Sequence, residues 1–484
     1  MKTKIIYLIF VCFLYVSCTE NKDSADKIQS LPEIFPDYRN VTIPVNIAPL
    51  NFKMDSCESI IAYFKGPKSG FEVKGRNEII ISTKKWTTLL AESANDSITV
   101  EVSVQKGKLW KEYLPFQLFV KGDKIDEYLV YRRIAPGYQK WSKMGIYQRN
   151  LTNYDESAIA NSDMLPGTCM NCHSFANGDP KTMMVHFRMA NNGTVLIRDG
   201  KVEKLNTKTD QTISNCVYPY WHPSGNYIAY SVNKTAQMFH SESDKRIEVF
   251  DSESDIVIYD VNQNELFTNA AISTKENFEV TPSFSADGKK LFFCSSKARK
   301  MPDEYDQVKY SLCVTDFDID SAKISNKVDT LVSAYKTGKS VSFPRISPDG
   351  KLLLFSLSAY GYFHIWHKDA DLYLMNLSDT TYFPVTGLNS NDADSYHYWS
   401  SNGRWIVTAS RRMDGLYSHP YMCYVDKNGK SGKAFMLPQK SPDFYREFMY
   451  SFNVPEFVKS KVETDSYEIE KVIKGKAKQV IFKN

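Results

Sequence analysis

Four stretches of this chain repeat one another, and a repeat narrows the choice of fold more than any other feature of a sequence. Residues 217–231 (VYPYWHPSGNYIAYS), 280–294 (VTPSFSADGKKLFFC), 342–356 (SFPRISPDGKLLLFS) and 395–409 (SYHYWSSNGRWIVTA) share one plan: a short strand, a tight turn ending in Gly, then an apolar strand. A second strand follows each copy, as DIVIYDV, SLCVTDF, DLYLMNL and YMCYVDK. The glycine supplies the positive φ that the turn needs. A hairpin unit of this kind cannot bury both of its faces alone, so the copies have to stack around an axis. Their spacing of about 50–60 residues is that of propeller blades.

The copies resemble the TolB-type propeller repeat, usually written P-x-W-S-P-D-G-K. Pro219, Pro282 and Pro344 match its proline, with His397 in that place in the fourth copy. Trp221 and Trp399 match its tryptophan, and Phe284 and Ile346 stand in for it elsewhere. The resemblance implies a TolB-like β-propeller of about six blades over residues 174–484. A degenerate blade is readable at 183–205, with Asn191-Asn192-Gly193 as its turn, and the last blade begins near Phe448. Asp287 and Asp349 sit at hairpin tips, where turn formation accounts for them. Ahead of the propeller, residues 31–135 carry short runs rich in β-branched and aromatic residues, such as VTIPVNI, SIIAYF and SITVEVSV. They predict a β-sandwich-like domain, with one helix near 84–94 on which Trp86, Leu89 and Leu90 share a face. Residues 136–173 read as a connecting strap, and the fold class is all-β.

The strap ends in Cys169-Met170-Asn171-Cys172-His173, the C-x-x-C-H pattern of c-type haem attachment. On a helical turn, two thiols at this spacing reach the two vinyl groups of one haem, and the adjoining histidine faces the iron. Haem c is the cofactor this predicts, held by Cys169, Cys172 and His173, with His173 on the metal and His186 as a candidate second axial ligand. Met183 and Met184 lie close in sequence but read as strand core. The alternatives are a Cys169–Cys172 disulfide, or a metal other than haem; no second Cys/His pair lies at zinc-finger spacing. Of the nine cysteines, Cys57, Cys216, Cys294, Cys313 and Cys423 fall mostly in apolar strand patterns, as buried thiols do. Cys294 and Cys313 lie on consecutive strands, where a bridge is an open choice.

Residues 1–18 form an address. Lys2 and Lys4 precede an apolar run of about a dozen residues, too short to span roughly 30 Å of bilayer. The run closes on Val16-Ser17-Cys18, which resembles a bacterial lipobox with Tyr15 where Leu or Val is usual. The resemblance implies lipidation of Cys18, a polar tether over residues 19–30, and an outer-membrane lipoprotein that is periplasmic or surface-exposed. A plain secretory signal is the alternative. The net charge of +4 is spread along the chain without a basic stripe, so nucleic acid is not an expected partner.

On a propeller, the rim opposite the Gly turns carries the loops that meet ligands. Here the loops at about 233–255, 297–310, 359–371 and 411–419 bring His240, His364, His367, Arg411 and His419, and the inner-strand starts add Tyr218, Tyr396 and His397. Leader, β-rich unit, C-x-x-C-H and repeat together are similar to TolB-like propeller lipoproteins of Bacteroidetes with a cytochrome c-type motif. A mono-haem protein for electron transfer or redox sensing is the first function class. The second is a haem-free scaffold that grips a protein or glycan at the envelope through Tyr218, Arg345, Trp366, Arg411 and Arg412. The third is a metal-dependent propeller enzyme, such as a polysaccharide lyase, using the rim histidines. No G-x-S-x-G elbow is present, which counts against a serine hydrolase.

Overall fold

In the computed structural model, which describes residues 25–135, 143–241 and 247–483, the repeat closes into a wheel of six blades. The leader, Cys18, the first part of the tether and residues 136–142 of the predicted strap lie outside the described residues. Each sequence copy is the inner and second strand of one blade. Cys216–Trp221 pairs with Tyr227–Phe239 in blade 3, and Asn277–Phe284 with Lys290–Lys297 in blade 4. Ser340–Ile346 pairs with Leu352–Ser358 in blade 5, and Asp394–Trp399 with Trp405–Ser410 in blade 6. The turn glycines take the left-handed conformation the pattern requires, as at Gly288 with φ +74°. That position is doubly constrained. A Cβ there would sit 2.1 Å from Nε2 of His222, whose ring bonds the Gly288 carbonyl at 3.0 Å and so ties blade 3 to blade 4.

The other two blades differ from the expected plan. Blade 2 starts with Thr168–Phe175, which holds the C-x-x-C-H segment, and continues through Thr182–Met189, Gly193–Arg198 and Lys201–Asn206. The motif therefore lies on an extended inner strand and not on a helical turn. Met170 and Phe175 are buried on that strand, and its ladder to the next strand leaves no room for a helix. Asn191-Asn192-Gly193 joins the second and third strands of the blade, not the first and second.

Blade 1 takes Tyr128–Ile134, Gly145–Asn150 and Glu156–Asn161 from the end of the predicted sandwich unit and from the strap. Its inner strand is Ser451–Val458, which pairs antiparallel with Tyr128–Ile134. The strap is thus largely blade. Two distant parts of the chain close the ring, and the inner strands of blades 1 and 2 touch as the others do in sequence order. Phe452 seals this joint: it is fully buried, with its ring 4.9 Å from Tyr131 and 5.9 Å from Tyr445. Beyond it, the helix Ser466–Lys474 buries Ile469 and Ile473 in the core shared by blades 1 and 2. Lys478–Gln479 and Ile481–Phe482 then pair with the outer strands of blades 2 and 3.

The N-terminal unit is a seven-stranded sheet with a two-stranded ribbon and the helix Thr83–Glu92, which buries Trp86, Leu89 and Leu90. It packs against blades 6 and 1, with Val41–Pro44 beside His419–Tyr424 and the Ala48 N–H donating to the Leu151 carbonyl at 2.8 Å, and Phe64 and Trp86 share one continuous core with Trp405, Met422, Tyr131 and Leu151. Trp405 Nε1 donates to the Asp123 carbonyl at 3.0 Å, and Lys53 pairs with Asp443 at 2.6 Å. All described cysteines are free thiols. The Cys294–Cys313 bridge does not form, because Cys294 lies opposite Leu312 and the next residue faces the other side of the sheet.

If Ser451–Val458 closes the ring, Phe452→Ala leaves a void at the joint and costs about 3–5 kcal/mol. Urea unfolding followed by circular dichroism checks this; a loss below about 1 kcal/mol would show that the joint does not carry the fold.

Candidate functional site

The six inner strands share an irregularity that shapes the axis. Each slips register against its neighbour at one place, for example between Met170 and His173 in blade 2, Val217 and Tyr220 in blade 3, and Ser342 and Arg345 in blade 5. In five blades the slip holds a non-glycine residue in the left-handed region: Tyr218, Thr281, Phe343, Tyr396 and Val454, with φ between +48° and +51°. Such residues cost about 1–3 kcal/mol each, and the surrounding structure has to enforce them. The next residue is proline in four blades, His397 in the fifth and Cys172 in blade 2. Proline is tolerated at a bulge, where its missing N–H removes no ladder bond. One place further on, the blades contribute in turn Glu456, His173, Tyr220, Ser283, Arg345 and Tyr398. The C-x-x-C-H segment is therefore blade 2's version of the repeat: Cys172 stands where Pro219 stands in blade 3, and His173 where Tyr220 stands.

These strands enclose a cavity of about 670 Å³ on the axis, within the usual range for a small-molecule or cofactor site. Cys169, Cys172 and His173 form part of one wall. Thr235, Gln237, Phe239 and Val249 reach the same cavity from the blade 3 hairpin, where the sequence pattern predicts a loop. The ladder runs on there because buried Asp251 accepts from Thr235 Oγ1 at 2.7 Å and from Tyr362 Oη at 2.6 Å, which fixes the hairpin to blade 5.

His173 is 3% exposed, and its Nε2 has no hydrogen-bond partner. The ring is held instead through backbone groups of Val454 and Val130. Burial, with Arg132 acting in the same direction, pushes its pKa down to about 3, so the imidazole is neutral. Burial raises the Cys169 thiol, against the pull of the Arg132 and Arg188 guanidiniums. The Cys172 sulfur accepts from the Tyr218 N–H at 3.3 Å. Glu456 accepts from the Phe175 N–H at 2.9 Å, and burial pushes its carboxyl up to about 8. The site thus offers two free thiols and a neutral imidazole, all lining one cavity. Those three side chains are the ones able to hold a haem.

Of the predicted rim residues, Tyr218, Tyr396, His397 and Arg411 line the cavity, whereas His240, His364, His367 and His419 do not. Of the last four, His364 and His367 lie together with ring centroids 5.9 Å apart, and His240 acts on Glu248 as His367 does, while His419 lies elsewhere beside Asp414. His364 bonds Ser356 at 2.8 Å, and His367 bonds Ser358 at 3.0 Å and Glu248 at 3.3 Å. His419 is packed against Tyr445 with ring centroids 5.0 Å apart, and His240 lies beside Tyr305 at 6.3 Å. Among the described residues no group of three or more His, Cys, Asp or Glu is placed to hold a metal ion. His186 also stays off the cavity wall: it is buried and bonds Thr194 at 3.0 Å across its own hairpin. Arg132, Arg188, Tyr220, Tyr398 and Glu456 line the cavity without having been singled out from the sequence. The signal for the last three was present, since each stands one place beyond the proline position of its repeat.

No family model and no curated protein matches the chain. Among solved structures, an oligogalacturonate lyase in complex with manganese is 10% identical over 64% of this chain and 73% of its own, with a TM-score of 0.37. Prolyl oligopeptidase B from Galerina marginata, bound to a macrocyclization substrate, is 12% identical over 81% of this chain and 54% of its own, with a TM-score of 0.38. A DUF4784 family protein from Bacteroides caccae is 8% identical over 74% of this chain and 97% of its own, with a TM-score of 0.32. This chain spans about half the length of the oligopeptidase. At this level the likeness concerns the propeller fold alone.

Glu456 gives a pH signature. An unfolded glutamate ionises near pH 4.3, whereas the folded carboxyl keeps its proton to about 8. Its contribution is therefore fully present below about pH 4 and is lost as pH rises to about 8, by up to about 1.4 kcal/mol per unit. Glu456→Gln removes this loss, so its stability relative to wild type increases with pH over that window. Urea melts of both proteins between about pH 5 and pH 8 measure the difference; parallel profiles would mean that the folded carboxyl is charged.

Proposed function

We propose that this chain is an exported, lipid-anchored propeller that carries one covalent haem c in its axial cavity and serves electron transfer or redox sensing at the cell envelope. The observation that carries this reading is that Cys169, Cys172 and His173 line one cavity and that the buried Nε2 of His173 makes no hydrogen bond. The strand presents the three groups without a helical turn, because the slip between Met170 and His173 displaces the regular alternation of side chains.

Each residue has a definite part. The thiols of Cys169 and Cys172 are free and would hold the group covalently, one thioether each. His173 keeps its lone pair available because burial holds the ring neutral. Its backbone contacts at Val454 and Val130 fix the ring's orientation, as outer partners of a ligating histidine do. Tyr218, Phe343, Phe363 and Tyr396 line the rest of the cavity with aromatic surface that keeps water out. Bound there, a haem supplies a one-electron iron couple. The leader and Cys18 support the same reading, since c-type attachment takes place outside the cytoplasm.

The test is production of the full chain in a host that matures c-type cytochromes, followed by denaturation and a pyridine haemochrome spectrum. Haem that stays with the denatured chain, a mass increased by one haem, and loss of both in Cys169→Ser/Cys172→Ser are expected. A colourless chain with an unmodified mass would overturn the proposal. A Cys169–Cys172 disulfide in that chain would move the assignment to a scaffold whose axial cavity takes a non-covalent ligand.

A further inference from the structure

The cavity wall facing the C-x-x-C-H strand carries the guanidinium of Arg345, which among the described residues forms no ion pair and whose nearest carboxyl on that wall, Glu456, burial keeps protonated. Arg345 holds in blade 5 the place that His173 holds in blade 2, and in a ring of six these two blades stand opposite each other. Its guanidinium lies over Tyr220 at 5.0 Å and Phe343 at 5.8 Å. One N–H donates to the Pro344 carbonyl at 2.8 Å, and the buried Nε has no partner. Among the described residues Arg345 enters no ion pair. Arg411, in the loop after the second strand of blade 6, reaches the same cavity with its guanidinium 5.0 Å from the Trp366 ring. Trp366, Phe343 and Tyr396 pack together between them.

A guanidinium turned into a partly closed cavity without a counter-ion is costly, and it becomes favourable when the occupant brings the anion. The occupant required by the haem reading does so. A haem carries its vinyl groups on one edge and its two carboxylates on the opposite edge. Held through its vinyl groups at Cys169 and Cys172 in blade 2, it would present its carboxylates to the wall across the cavity, where Arg345 of blade 5 stands.

We infer that Arg345, with Arg411 on the same side of the cavity, anchors the haem carboxylates; this rests on the haem reading above. Guanidinium is suited to the task because it pairs with a carboxylate through two parallel N–H···O bonds. Arg132 and Arg188 also line the cavity, both close enough to Cys169 to act on its thiol.

The experiment uses the full mature chain made without cytochrome maturation, so that the thiols stay free, titrated with hemin and separately with hemin dimethyl ester. Wild type is expected to bind hemin at least about tenfold more tightly than the ester, the range of one charge-assisted contact. Arg345→Gln is expected to reduce that preference to about threefold or less. Equal binding of the two porphyrins by wild type would overturn the assignment while leaving the haem reading intact, and that comparison needs no variant to fold. An undiminished preference in folded Arg345→Gln would also overturn it. Binding of neither porphyrin would bring down the haem reading and this inference together.

Discussion

One backbone constraint underlies the rest of this structure: the register slip that recurs in every inner strand. Without it, strict alternation would turn every second side chain of the inner strands toward the axis and the others back into the blades. The slip adds a residue at one level of each blade and widens the wheel there. Five of the six slips hold a non-glycine residue at positive φ, including the β-branched Thr281 and Val454, which adopt that region with most difficulty. Strain of this kind survives only where the surroundings over-determine it, and here it is concentrated around a single cavity. The architecture therefore commits a measurable part of its stability to keeping the axis open.

Keeping that ring closed is the second requirement. Antiparallel blades leave two edges to be joined, and the chain joins them by giving blade 1 three strands from before the repeat and one from after it. The inner strand that completes the ring also supplies Val454 and Glu456 to the cavity wall, so closure and site formation are one event. The C-terminal tail adds strands to the outer edges of blades 2 and 3, and the N-terminal unit packs against blades 6 and 1. Edge strands left bare invite pairing with other chains, and these additions cover several of them.

How far the fold could be read from the sequence follows from which signals are local. Four blades carry their identity within fifteen residues, in the Gly turn and the apolar strand beyond it, and these were legible. Blade 1 was not, because the pairing of Tyr128–Ile134 with Ser451–Val458 leaves no local mark, and the segment after Tyr128–Ile134, which supplies two more of its strands, read as a strap. Blade 2 was read in part, from 183–205. Its inner strand was hidden by the C-x-x-C-H pattern, which invites a helical turn. Laying CMNCH over CVYPY would have exposed the strand, with Cys169 over Cys216 and Cys172 over Pro219. The loop histidines failed for a different reason. A histidine in a loop reads the same whether it faces a ligand or bonds a neighbouring serine, as His364 and His367 do here. Tyr218, Tyr396, His397 and Arg411 reach the cavity because they sit at the slip or just above the strand ends, positions set by the repeat.

The protonation states around the ring also limit what can fill it. Burial keeps His173 and His397 neutral, each pushed down to about 3, and holds Glu456 protonated at neutral pH. The charges that remain on the wall are arginines, whose pKa lies too far above neutrality for burial to discharge them. A cavity that suppresses its own negative charge while keeping its positive charge favours an anionic guest. Among the described residues no group of three or more His, Cys, Asp or Glu is placed to hold a bare metal ion. A flat, largely apolar guest with acid groups on one edge would match the aromatic surface and the arginines together, which is the kind of guest proposed above.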